Sequence, residues 1–247
     1  EVAWIGTKLG LEYKIVPEHG FTLSLINIKG LRNKGLLAKL FAPVALLFSF
    51  IQALILINKI KPNVVLGMGG YVSGPSGLAA WCLRKPLIVH EQNAIAGKTN
   101  VYLAKLAKKV LCAFPNTFSN DDVQVCGNPV RQEIINIVQP TVSKDCKNIL
   151  IVGGSRGALQ LNQLVPAALR LADDYSINVK HQSGEALYHA TLCAYEGFLG
   201  DCQVLPYIDD MVAAYEWADL VICRSGAMTV FEIMAAGKLA LFVPYPY

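Results

Sequence analysis

Three stretches of this 247-residue sequence run from β-branched residues straight into a glycine-containing turn. Residues 64–67 lead into Met68, Gly69, Gly70, Tyr71, Val72, Ser73 and Gly74. Residues 149–152 lead into Gly153, Gly154, Ser155, Arg156 and Gly157, and residues 221–223 into Arg224, Ser225, Gly226 and Ala227. A strand that turns on glycine into a helix aims backbone N–H groups and the positive end of the helix dipole at one point, which attracts phosphate. One such turn can be a tight connection and nothing more, whereas three in one chain point to a phosphorylated or nucleotide ligand. The third turn adds a carboxylate: Glu232 falls on the second turn of the helix that begins near Ala227, placed to accept two ribose hydroxyls while the helix end meets a diphosphate. A helix acid favoured by the dipole alone would have the same spacing.

A fourth cluster, His90, Glu91, Gln92 and Asn93, follows an apolar strand and so sits at its carboxyl end, where open α/β sheets carry their sites. Arg131, after Gly127, Asn128, Pro129 and Val130, suits either a linker anchor or an anion clamp. Two nucleotide chemistries fail on inspection. The second loop is G-G-S-x-G rather than G-x-G-x-x-G, and the next strand ends in Lys180, His181 and Gln182 with no acid for an NAD ribose. The phosphate loop G-x-x-x-x-G-K-[ST] is absent. Asp209 and Asp210 are adjacent rather than spaced as Asp-x-Asp, so nothing in the sequence requires a metal or a cofactor.

The elements that must position these groups read as alternating strands and helices. Strand-like runs occupy residues 2–6, 63–67, 86–90, 109–113, 148–152, 177–181, 219–223 and 239–243, with helical spans between them. Such apolar runs predict an α/β fold with parallel sheets covered on both faces. Residues 127–147 hold two prolines and several polar side chains before a fresh strand, which places a linker between two doubly wound domains. Seven scattered cysteines without a C-x-x-C pair argue against a disulfide or zinc framework. The chain begins at Glu1 within one strand-like run and ends at Tyr247 after another, so it reads as an internal piece of a longer protein.

Charge and hydropathy are unevenly placed. Residues 1–146 carry 16 Lys and Arg against 8 Asp and Glu, and residues 147–247 carry 6 against 10. A basic, apolar half without interleaved aromatics suits an anionic membrane surface and not nucleic acid. Residues 40–57 (LFAPVALLFSFIQALILI) hold no charge and only Ser49 and Gln52 as polar groups. Length meets the lower limit for a membrane span, but Pro43, basic flanks at both ends and a position between two α/β strands speak against crossing. A core helix and an interfacial helix both fit. The surrounding basic charge favours the second, with Leu40, Phe41, Leu47 and Phe50 facing the membrane.

Taken in order, GMGGYVSGP (67–75), HEQNAIAGKTN (90–100), GNPVR (127–131), GGSRGA (153–158), YIDDM (207–211) and CRSGAMTVFE (223–232) resemble the motifs of the MurG family of peptidoglycan N-acetylglucosaminyltransferases. The resemblance runs through essentially the whole sequence. It implies a GT-B hexosyltransferase with two Rossmann-like doubly wound domains facing a cleft: an acceptor domain at the membrane over residues 1–140 and a donor domain over residues 147–247, both incomplete here. The implied reaction is inverting transfer of N-acetylglucosamine from UDP-N-acetylglucosamine to the C4 hydroxyl of the muramoyl sugar of lipid I, giving lipid II. The implied setting is peripheral, on the cytoplasmic face of the bacterial inner membrane, with cell-wall synthesis proteins as further partners.

The family's pattern also implies roles for individual residues. Asn93 and Arg131 contact the donor from the first domain, Ser155 meets the diphosphate and the backbone of Ile208 meets the uracil. Ala227, Met228, Thr229, Val230 and Phe231 start a helix at the phosphates, and Glu232 holds the ribose. Two residues depart from that pattern, Arg156 where Gln is usual and Phe231 where Ser is common. The family's N-terminal G-G-T-G-G-H loop with its candidate base His and its Gln-containing donor segment are not in the sequence, so the chain by itself is expected to be inactive, with Glu91 as the fallback general base. A related GT-B enzyme with another donor or glycolipid acceptor and a non-catalytic membrane-recruiting subunit remain alternatives.

Overall fold

The computed structural model describes residues 1–28, 42–119, 122–138, 147–154, 157–172 and 176–244. The chain divides into two units, Glu1–Gly127 and Asn128–Tyr247. In the first, β1 (Ala3–Gly6), α1 (Glu12–Glu18) and β2 (Thr22–Leu25) precede a long helix α2 (Ala42–Ile60). There follow β3 (Val65–Gly67), α3 (Gly70–Cys82), β4 (Leu87–Glu91), α4 (Lys98–Ala104), β5 (Lys109–Cys112) and β6 (Val123–Val125). β1 pairs with β2, and β3-β4-β5-β6 form a four-stranded sheet in which every pairing is parallel.

The second unit runs α5 (Gln132–Ile135), β7 (Asn148–Val152), α6 (Leu159–Ala172), β8 (Asn178–Gln182), α7 (Tyr188–Ala194), β9 (Asp201–Leu205), α8 (Met211–Trp217), β10 (Leu220–Arg224), α9 (Ala227–Ala235) and β11 (Leu239–Val243). Its five parallel strands are ordered β11-β10-β7-β8-β9. Alternation along β7 shows why both faces are covered. Ile149 and Ile151 pack with Leu161, Val165 and Leu169 of α6, while Leu150 and Val152 pack with Tyr215 of α8 and Ile233 of α9. Each fully buried aliphatic side chain contributes about 1.5–3 kcal/mol, so β7 anchors the unit from both sides.

The α/β expectation holds, and seven of the strand-like runs plus residues 2–6 lie on observed strands. Three strands carried no sequence signal: β2, β6 and β9. β6 and β9 close the ends of their sheets, where one side of the strand has no neighbour among the described residues, and they bury less than the central strands, β9 only Val204. An edge strand with few buried positions needs no apolar run. The first unit also ends earlier than residue 140. Ile134 and Ile137 are buried in the second unit's core, with Val130 against them, so the segment after Gly127 packs with the second unit.

α2 shows two faces. Its only two polar residues in the long apolar run turn inward to one backbone site: Ser49 Oγ donates to the Asn27 carbonyl at 2.7 Å, and Gln52 Oε1 accepts from the Asn27 N–H at 2.7 Å. Ala53 and Ile57 are buried against Ala79 and Ala80 of α3, with Phe50 and Leu54 packed beside them. The opposite face leaves Val44, Leu47, Phe48, Ile51 and Ile55 exposed, a stripe at helical spacing. Leu47 therefore faces outward. Phe50 does not: it lies on the side of Ser49 and Ala53, and packs onto the core. Leu40 and Phe41 lie outside the described residues.

A buried polar chain ties the second unit together. Asn162 donates its Nδ2 hydrogen to the Ser183 carbonyl (2.9 Å), which leaves its Oδ1 to accept from His181 Nε2 (3.0 Å). His181 Nδ1 then accepts from the Tyr195 hydroxyl (2.8 Å). His181 is fully buried, and burial pushes its pKa down to about 4. An unfolded chain takes up this proton near the ordinary value of 6.5 and the folded chain does not, so stability is lost as pH falls from about 6.5 to about 4. The expected loss from this one group is about 3 kcal/mol. Urea unfolding across that range should show a shallower pH slope for His181→Gln than for the wild type, and equal slopes would refute the assignment.

Candidate functional site

The strand order of the second unit creates the site. From β7 the chain winds outward to β8 and β9, then returns to place β10 and β11 on the other side of β7. Ligands of open α/β sheets bind at such a reversal, beyond the carboxyl ends of the central strands. β7 and β10 are paired with Val152 opposite Cys223, so the turns that follow them, beginning at Gly153 and Ser225, emerge side by side. Two of the three glycine turns read from the sequence are brought together in this way. The third, after β3, belongs to the first unit.

Both turns are held by buried side chains. Gly157 has φ of 74° and lies so close to the Ser183 carbonyl that a Cβ there would overlap it. The Asn162 amide holds that same carbonyl, so the His181–Asn162 chain sets how Gly157 approaches the end of β8. Gln182 bridges two loops: its Nε2 donates to the Gly154 carbonyl at 3.1 Å and its Oε1 accepts from the Ile208 N–H at 3.0 Å. Arg224 donates to the carbonyls of Val243 and Pro244 and to Gln160 Oε1, joining the ends of β10 and β11 to the start of α6. Ser155 and Arg156 lie outside the described residues.

α9 begins at Gly226, which offers no side-chain cap, so the N–H groups of Ala227, Met228 and Thr229 are directed out of the helix start. Glu232 follows on the next turn, half-buried. Its Oε2 accepts from the Tyr215 hydroxyl at 3.2 Å, and its Oε1 lies 3.7 Å from Arg131 Nη2. Arg131 thus belongs to the second unit, beside Glu232, and not to the first domain as expected. Ile208 is buried and its N–H is taken by Gln182, which leaves only its carbonyl for a ligand. Asp210 caps α8, its Oδ1 accepting from the Ala213 N–H at 2.9 Å.

In the first unit the cluster after β4 is bonded to itself. Glu91 is buried. Its Oε1 accepts from the backbone N–H and side-chain amide of Asn93, and its Oε2 accepts from the Gly97 N–H and the Asn100 amide, all at 2.8–3.0 Å. Burial alone would raise its pKa, but these four donors outweigh it and hold the carboxyl below the ordinary value of 4.5. A carboxylate so occupied is a strut for the 92–100 loop and a poor proton acceptor, which corrects the base role expected of it. His90 Nε2 donates to the Gly127 carbonyl, since that oxygen can only accept, leaving Nδ1 for the Gln92 amide. Asn93 remains exposed with its amide oriented by Glu91. Sequence reasoning missed Gln182, Asn162, Asn100 and Tyr215. The one available signal was a polar side chain inside or just beyond a strongly apolar run.

With this geometry in view, residues 1–112 match the glycosyltransferase family 28 N-terminal domain and residues 148–247 the family's C-terminal domain. The chain is 47% identical to the UDP-N-acetylglucosamine–N-acetylmuramyl-(pentapeptide) pyrophosphoryl-undecaprenol N-acetylglucosamine transferase of Shewanella sediminis, an alignment covering 100% of this chain and 69% of that protein. The crystal structure of Acinetobacter baumannii MurG superposes with a TM-score of 0.82 at 40% identity, covering 100% of this chain and 71% of the other. The calicheamicin glycosyltransferase CalG4 shares the fold at 13% identity and a TM-score of 0.66, with 98% of this chain and 72% of the other covered.

The strut role of Glu91 separates from a base role in one variant. Glu91→Gln replaces one accepting oxygen by an NH2 that faces donors, leaving two of the four donors around this buried side chain unmatched. It should lower the unfolding free energy by about 3 kcal/mol in denaturant titrations. Because the folded pKa of Glu91 is depressed, its contribution is present above about pH 4.5 and should fade as pH falls further, in the wild type only. A Glu91→Gln variant with an unchanged unfolding midpoint and a lost kcat would restore the base role.

Proposed function

The chain belongs to glycosyltransferase family 28, and we propose that it transfers N-acetylglucosamine from UDP-N-acetylglucosamine to the C4 hydroxyl of the muramoyl sugar of lipid I, giving lipid II. The 47% identity to a relative named for that transfer, over the full length of this chain, supports the reaction. The structural observation that carries the donor site is the uncapped start of α9 with Glu232 on its next turn, beside the turn that follows β7.

In this reading the diphosphate lies at the N–H groups of Ala227, Met228 and Thr229, with Val230 and Phe231 continuing the helix start and Ser155 assigned to the same group by resemblance. As the anomeric bond breaks, negative charge grows on the leaving UDP. A helix end already oriented toward that charge binds the transition state more tightly than the ground state. Glu232 accepts the ribose hydroxyls, and the Ile208 carbonyl faces the uracil because its N–H is committed to Gln182. Arg131, next to Glu232, sits on the nucleotide side, and Asn93, whose amide Glu91 orients, is assigned to the donor by resemblance. The transfer inverts the anomeric centre by direct attack of the acceptor hydroxyl through an oxocarbenium-like transition state, the bond from the anomeric carbon to UDP breaking as the new one forms and a general base taking the hydroxyl proton.

The acceptor is a lipid, and α2 supplies a surface suited to it. Pro43–Ile60 is long and apolar enough to cross a membrane by length and composition. The Ser49 and Gln52 bonds to Asn27, however, commit one face to the first unit's own chain. The exposed stripe from Val44 to Ile55 is about 18 Å long and is followed by Lys59 and Lys61. Laid in the headgroup layer of an anionic bilayer, it would make the enzyme peripheral, on the cytoplasmic face of the inner membrane.

Two measurements test these assignments. Glu232→Ala should raise the donor KM at least about tenfold, since two hydrogen bonds to a carboxylate are lost, while vesicle binding stays unchanged; an unaltered KM removes the ribose role. Leu47→Glu combined with Phe48→Glu should release the protein from phosphatidylglycerol vesicles in sedimentation, whereas Phe50→Glu should instead destabilise the fold. Persistent binding of the double variant would refute the interfacial role of α2.

A further inference from the structure

Glu232 does not hold its own orientation. The half-buried carboxylate lies on the second turn of α9, and the group that fixes it comes from a different helix. Tyr215 of α8 is fully buried, its ring packed among Leu150, Val152, Val221, Cys223 and Ile233. From that socket its hydroxyl reaches Glu232 Oε2 at 3.2 Å. A buried phenol ring has almost no freedom to follow a moving partner, so the carboxylate must come to the hydroxyl. Burial, and after it the neighbouring negative charge, raise the Tyr215 pKa well above its ordinary value, so the phenol keeps its proton and always donates.

A carboxylate offers about four lone-pair directions. The Tyr215 hydroxyl takes one on Oε2, and Arg131 stands near Oε1 at 3.7 Å, too long for a hydrogen bond but close enough to attract. With Oε2 held by the hydroxyl and Oε1 drawn toward Arg131, the plane of the carboxylate is set and the remaining directions of both oxygens are presented together. That arrangement matches two adjacent hydroxyls and discriminates against a sugar that has only one.

We propose that Tyr215 is a positioning residue that orients Glu232 for a vicinal diol, and that through it the donor site selects ribonucleoside over 2′-deoxyribonucleoside diphosphates. The proposal rests on the assignment of Glu232 to the ribose. Tyr215 touches no ligand; its effect passes through the carboxylate alone.

The test is equilibrium titration of UDP and of 2′-deoxy-UDP against the wild type, Tyr215→Phe, Glu232→Gln and the double variant. Phe keeps the ring and its packing, and thermal unfolding should report an unchanged core. The wild type should bind UDP about tenfold more tightly than 2′-deoxy-UDP. Tyr215→Phe should weaken UDP by a similar factor while leaving 2′-deoxy-UDP nearly unchanged, so that the ratio falls toward one, and it should have no further effect in the Glu232→Gln background. A purely structural Tyr215 would weaken both nucleotides in parallel, and that outcome, or an unchanged ratio in Tyr215→Phe, overturns the proposal. If the wild type itself fails to distinguish the two nucleotides, the ribose assignment of Glu232 falls, and the proposal falls with it.

Discussion

The parallel pairing of β7 with β10 is the constraint on which the second unit depends. It joins strands separated by about seventy residues and makes β7 the point where the winding reverses. Because parallel strands point the same way, their following turns must leave from the same edge of the sheet. Two glycine turns, two helix starts and the residues they carry are thereby brought to one place. Neither turn has to be special by itself. What concentrates N–H groups there is the register of two buried strands, each covered by helices on both faces.

Around that edge the fold uses buried polar side chains as struts. Gln182 links the Gly154 carbonyl to the Ile208 N–H, Asn162 and His181 hold the Ser183 carbonyl against Gly157, and Arg224 ties the end of β11 to α6. In the first unit Glu91 does the same for its own loop with four accepted bonds. Such groups are costly to bury unless every partner is in place, so they fix loop geometry more sharply than apolar contacts can. This explains why the polar cluster after β4 looked like chemistry from its sequence: position at a strand's carboxyl end is common to sites and to the struts beneath them.

α2 shows how the same composition can serve two solvents. A nearly uniform apolar run has no periodicity to say which side faces inward. Asn27 breaks the symmetry, because its backbone N–H and carbonyl pair with Gln52 and Ser49, the two polar residues of the run. Once those two residues are docked, Phe50 and Ala53 follow them inward, and Val44, Leu47, Phe48, Ile51 and Ile55 are left outside.

The sequence by itself determined the class of fold, most of the strands, the glycine turns and the family, because these depend on local propensity and on motifs whose residues are contiguous. It did not reveal the edge strands β6 and β9, whose exposed residues bury too little to leave a pattern. Nor did it show that the segment after Gly127 packs with the second unit, since two buried isoleucines in a polar stretch carry no address. Strand order, the inward side of α2, the strut role of Glu91 and the placement of Tyr215 against Glu232 were decided only by tertiary structure. Each is a meeting of groups far apart in the chain, and the free energy that selects one partner over another exists only once the surrounding core has excluded water.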